Sequence, residues 1–103
     1  MTATGLTLEH MLAPSPKRVV HKFSAFSGEI ELGMPAKFLY AAIQKDSPMV
    51  WVQHCPESTV KVIAEIRIYG TGEPIDEGFE FLGTYLEDNG NYVWHVYAKA
   101  RQK

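Results

Sequence analysis

His54 and Cys55 stand side by side in "MVWVQHC" and are the residue types of a thiol nucleophile and its base. On an extended chain, neighbouring side chains project to opposite faces, so this pair cannot make the hydrogen bond that activation requires. His21 or His95 would have to reach Cys55 through the fold, and nothing in the spacing signals it. Histidines at positions 10, 21, 54 and 95 match no local metal-ligand spacing, and one cysteine excludes a multi-cysteine zinc site or a disulfide framework. Glu73, Asp76 and Glu77 in "EPIDEGFE" are acid/base types, but the composition is that of an exposed loop, without a second catalytic cluster. No catalytic residue, metal site or cofactor is therefore assigned. Cys55 is expected to be inert, and His95 to be a packed histidine hydrogen-bonded across a hairpin.

The other chemically suggestive stretch is "IRIYGTGEPI", residues 66–75. Glycine-rich phosphate loops lie between a strand and a helix, where backbone N–H groups and the helix dipole converge on the anion. Here Pro74 removes a donor and biases Glu73 away from helix, and "IDEGFEFLGTY" runs straight into another strand. A Rossmann or P-loop reading fails. What remains is a strand-ending glycine corner, or a small anion nest built from the N–H groups of Gly70, Thr71 and Gly72. In the second reading Arg67 supplies the counter-charge. Tyr69, on the same strand parity, supplies a stacking ring.

These residues are carried by strands. "EIEL" puts Ile30 and Leu32 on one face, with Glu29 and Glu31 on the other. "TVKVIAEIRIY" sends Val60, Val62, Ala64, Ile66 and Ile68 one way and Lys61, Glu65 and Arg67 the other. Asn89-Gly90 in "EDNGNY" has the chemistry of a type I′ turn. That turn predicts pairing of Asp88 with Asn91, Tyr85 with Trp94, Thr84 with His95 and Gly83 with Val96, with Trp94 lying diagonally over the vacancy at Gly83. "KDSPM" marks a second turn, between "KFLYAAIQ" and "MVWVQHC". Both of those segments are apolar on both parities, which predicts either cover on two sides or a homo-oligomer. Only "LTLEHMLA", with Thr7 as N-cap and Pro14 beyond, has the pattern of a short helix. The expectation is an all-β fold: a small antiparallel β-sandwich or partly open barrel of six to seven strands over 18–103, preceded by an extension over 1–17.

Composition narrows the class. The chain has 103 residues, 46% hydrophobic, a length that suits one domain with its own core. A net charge of −2 without a basic stripe argues against duplex nucleic acid. The absence of a signal-type leader or a long apolar run, together with the lone cysteine, predicts a cytoplasmic protein with no membrane partner. Aromatic residues such as Tyr40, Trp51, Tyr69, Phe79, Phe81 and Tyr97 exceed what a small core needs, and a surplus near Arg67 would suit base stacking or a subunit interface.

The order "PMVW", "RIYGTGEPI", "EFLGTY", "VWHVY" resembles a family of short phage and prophage proteins of unknown function. That family is marked by a [YH]-G-T-G-x-P-I core, then [YF]-[IL]-G-T-[YF], then a terminal aromatic-H-V-[YF] strand. The resemblance spans Arg18 to Tyr97. It departs at Glu73, where the family commonly has histidine, and in the leading residues. It implies a phage protein acting in the host cell. Small accessory proteins of phages often disarm host defences by binding, which makes the leading expectation a non-enzymatic antagonist of host defence. Its partner would be a nucleotide-type anionic signal, held by Arg67, Tyr69, Gly70, Thr71 and Gly72, or else a host defence protein. A structural or assembly accessory and a nucleotide hydrolase using His95 or His54 are the other classes.

Overall fold

A computed structural model describes residues 17–103, and these contain seven strands: β1 (Val19–Ser24), β2 (Glu29–Gly33), β3 (Lys37–Gln44), β4 (Ser47–His54), β5 (Lys61–Gly70), β6 (Glu80–Glu87) and β7 (Tyr92–Gln102). All pairings are antiparallel. One sheet has the order β1-β4-β3 and the other β2-β5-β7-β6, so the fold is an all-β sandwich not closed into a barrel. The helix expected over residues 6–13 lies outside the described residues.

The period-two patterns place the core. Ile30 and Leu32 from β2, Ala64 and Ile66 from β5, and Val96 from β7 meet Val50 and Val52 from β4 between the sheets. Burying each of the larger of these side chains contributes about 1.5–3 kcal/mol. Val60 departs from the pattern: it precedes β5 and is exposed.

Both turns fall within the segments expected to hold them. Tyr85, Thr84 and Gly83 pair with Trp94, His95 and Val96 as expected, and the Asn91 N–H donates to the Asp88 carbonyl at 3.0 Å. The ladder ends at Glu87–Tyr92, however, and positive φ runs over three residues, Asp88, Asn89 and Gly90 (54°, 53° and 87°), one more than a two-residue turn needs. In the other hairpin Lys45 and Asp46 take the positive φ values of 50° and 64°. Pro48 belongs to β4, where it pairs with Ile43.

The glycine vacancy at position 83 serves a different neighbour from the one expected. A Cβ there would lie 3.1 Å from the Ala41 Cβ, so Gly83 lets β6 approach β3 and close one side of the sandwich. The glycine beside Trp94 is Gly70, its partner in the β5–β7 register, where a Cβ would lie 3.5 Å from the indole. Bulges interrupt the two strands that meet at this closed side, between Phe38 and Tyr40 in β3 and between Phe81 and Gly83 in β6.

Candidate functional site

The outer face of the four-stranded sheet gathers most of the polar and aromatic side chains singled out above. Alternation sends Arg67 and Tyr69 from β5, His95 and Tyr97 from β7, and Phe81 and Thr84 from β6 to this side. Register then sets Tyr69, His95 and Thr84 in one row, and Arg67, Tyr97 and Phe81 in the next.

The first row is tied together by His95. Its Nε2 lies 3.0 Å from Thr71 Oγ1, and its Nδ1 lies 2.9 Å from Thr84 Oγ1. A neutral imidazole has one donor and one acceptor nitrogen, so one hydroxyl accepts from the ring while the other donates to it. Thr71 comes from "GTG", Thr84 from "GTY" and His95 from "WHVY", so three motifs distant in sequence meet on one ring. The bond across the hairpin to Thr84 was expected. The bond to Thr71 was not, because no spacing relates residues 71 and 95. Chemically the row resembles a base beside a hydroxyl, but both ring nitrogens face hydroxyls. Among the described residues no carboxylate is hydrogen-bonded to the ring, so the triad arrangement in which a carboxylate steadies an imidazolium is not formed by them.

The second row is covered by the segment after β5. Asp76 accepts from Tyr69 Oη at 2.8 Å and from the Arg67 guanidinium, and Glu65 accepts from Arg67 Nε at 2.8 Å. Phe79 lies under the guanidinium, 4.5 Å from carbon to ring centroid, and meets Tyr69 edge-on. Tyr97 packs edge-on against Tyr69, and Phe81 against Tyr97. Tyr69 is therefore only 5% exposed although it points away from the core, while Phe81 is 56% exposed. Hydrogen bonding with Tyr69 and Glu65, aided by the charges of Glu65 and Asp76, raises the Arg67 pKa and keeps it charged. Composition marks segment 73–79 as a solvated loop and gives no sign of these contacts with β5.

At the glycine corner the chain supplies its own anion. The Gly70 N–H donates to Glu73 Oε1 at 2.9 Å, and the Glu73 N–H closes the turn on the Gly70 carbonyl at 3.1 Å. Gly72, at φ 92° and with open space where a Cβ would stand, is glycine for its conformation. Arg67, Tyr69, Gly70, Thr71 and Gly72 are thus near one another, but Arg67 and Tyr69 are held by Asp76, Thr71 by His95, and Gly70 by Glu73. A cleft of about 270 Å³ opens beside Arg67, bordered by Phe79, Lys99 and Arg101 and by the acids Glu65, Asp76 and Glu77.

The remaining candidates lie elsewhere. Cys55 is 2% exposed at the end of β4, and His54 beside it is buried against β2 and β1. Among the described residues no group of three or more His, Cys, Asp or Glu side chains is arranged to hold a metal, and no helix is long and apolar enough to cross a membrane.

Neither a curated protein nor a solved structure matches the chain. A family model does match, over residues 16–103, which covers every described strand. The chain belongs to the family described as Domain of unknown function (DUF7352).

Proposed function

We propose that the chain is a phage-encoded binding protein without catalytic activity, acting in the host cytoplasm by masking a host defence protein. The phage context rests on the motif resemblance. The observation that favours a protein target over a nucleotide is the occupancy of the glycine corner: Glu73 takes the Gly70 N–H, and Glu65 and Asp76 take Arg67. A phosphate would have to displace carboxylates that already occupy the positions it needs. Apolar surface is meanwhile exposed on the other sheet, where Tyr40 packs against Trp51 and is 64% exposed.

A nucleotide signal is the second reading, favoured by the Phe79 ring with Arg67, Lys99 and Arg101 around one cleft. A thermal-shift series with cyclic and linear nucleotides separates the two. Ligand at about a hundred times its Kd stabilises the native state by about 2.7 kcal/mol, a shift that is easily read. The expected result is no shift with any nucleotide, together with rescue of a defence-sensitive phage that survives Arg67→Ala. A nucleotide-induced shift abolished by Arg67→Ala overturns the protein-target reading.

A further inference from the structure

The two neighbours of β7 do not run its whole length. β5 pairs with it as far as Gln102, whereas β6 begins at Glu80, opposite Ala98. Along Lys99–Gln102, no described strand lies on the β6 side, and all four residues are exposed. In an antiparallel strand, alternate pairs of N–H and C=O groups face each neighbour, so on this side the stretch presents backbone donors and acceptors with no partner among the described residues.

Beside that edge the sandwich opens. A cleft of about 400 Å³ runs between the sheets, with Leu32, Phe38, Val62, Leu82, Ala98 and Ala100 among its lining residues. The alanines belong to β7 itself, so a strand laid along the edge would meet small side chains and have room for larger ones. Its outward face would meet charge: Lys99 and Arg101 project from β7 opposite to Ala98 and Ala100, held only by long contacts, Lys99 to the Glu77 carbonyl at 3.4 Å and Arg101 to Glu29 at 3.3 Å. Lys37 and Lys99 stand at the cleft with Glu80, and Lys37 makes no side-chain hydrogen bond or ion pair among the described residues.

We propose that the β7 edge at Lys99–Gln102, with the adjoining inter-sheet cleft, accepts an extended peptide segment of the partner as an added strand in line with β6. The segment alternates apolar side chains, which enter the cleft, with acidic ones, which face Lys99 and Arg101. This rests on the protein-target reading and names the partner chemistry. The occupant follows from two features. Unpaired backbone groups call for another backbone, which a lipid or nucleotide does not offer. A second copy of β7 would bring Lys99 and Arg101 against their own counterparts, and like charges across a strand pair are destabilising.

The test uses the full chain, labelled with nitrogen-15, and the probe acetyl-Val-Glu-Leu-Asp-Val-Glu-amide. The Lys103 N–H donates to the Lys61 carbonyl, so the odd-numbered amides of this stretch face β5 and those of Ala100 and Gln102 face the open edge. The expected result is a saturable titration in which exchange of the Ala100 and Gln102 amides slows by about tenfold or more, as their open population falls. The matching probe with lysine at each acidic position should bind at least about tenfold more weakly, since opposite charges support a strand pair and like charges oppose it. Ala100→Arg, which fills the cleft from an exposed position, should abolish binding at unchanged melting temperature. Equal binding of the two probes, or a flat titration, overturns strand addition. So does slow exchange of these amides before any probe is added: if independent of concentration it assigns the edge to residues 1–16, and if lost on dilution to a second copy. Each of these failures leaves the protein-target reading standing, since only nucleotide-induced stabilisation overturns that.

Discussion

His54 donates its Nε2–H to Nδ1 of His21 at 2.9 Å, and the direction of that bond is fixed from behind. The Gly33 N–H, a donor only, lies 3.2 Å from His54 Nδ1, so the neutral ring must carry its proton on Nε2. One imidazole thereby links β1, β4 and β2 across the two sheets. Protonating it removes the acceptor for Gly33.

The pH dependence follows. Burial, then the charge of His21 and then that of Lys61, lower the His54 pKa below its ordinary 6.5. The unfolded chain therefore binds the proton more readily than the folded one. This contribution to stability is complete above 6.5 and is lost as pH falls from there toward the folded value. Melting temperature should decline as pH falls below about 6.5, a range above that of ordinary carboxylates. His54→Gln, less stable at the upper end, should show a shallower decline.

Gly33 itself tolerates no side chain. A Cβ there would overlap the Cys55 carbonyl, while the Cys55 N–H donates to the Gly33 carbonyl at 2.9 Å. Gly33→Ala must push the ends of β2 and β4 apart and should cost about 3 kcal/mol, the upper end of the overpacking range, or more. Gly28→Ala is the control, because at φ 75° it meets nothing within 4 Å and carries only about 1–2 kcal/mol of conformational strain. Urea titration of both variants checks the ranking.

Asp76 should matter more than Arg67 for stability. Arg67 is an exposed cation whose ion pairs are screened by solvent and contribute little. Asp76→Ala leaves the hydroxyl of the largely buried Tyr69 without its acceptor, at about 1–3 kcal/mol. It should also open the chain between β5 and β6 to limited proteolysis. Equal stability of the two variants would show that the segment is held by Phe79 instead.

Self-association should occur through the outer face of the three-stranded sheet. Tyr40, Trp51 and Val20 lie there beside Met49, with Val20 54% exposed. Three strands of this length offer a face of only a few hundred Å², against roughly 800 Å² per partner in stable complexes. Sedimentation should therefore find a dimer that dissociates in the micromolar range, and Trp51→Glu should leave only monomer.

What the sequence revealed was local. The register around Asn89-Gly90 was legible because turn chemistry and period-two alternation act over a few residues. The positive φ at Lys45 was not, since lysine has no preference for that region, although Asp46 is of a type that tolerates it. Glu73 stands three residues from Gly70, close enough for the bond between them to be read from spacing, yet the corner's glycines drew attention to an external anion instead. The Asp76–Tyr69 contact and the Thr71–His95 bond needed the fold, because loop composition and strand pattern do not say which outer-face side chains a connecting segment will cover. Gly33 was silent for the same reason: only the path of the Cys55 carbonyl makes it necessary.

The paired bulges in β3 and β6 have a consequence for how such a sandwich can diversify. An inserted residue bends its own strand and leaves the partner in place. With Ala41 and Gly83 pinned together beside the bulges, the sheets resemble two leaves of a book bound along one spine. Phe38, beside the bulge in β3, and Leu82, the extra residue of the bulge in β6, line the cleft between the sheets. Substitutions there can widen or narrow the gap while the Ala41–Gly83 contact that joins the sheets stays intact.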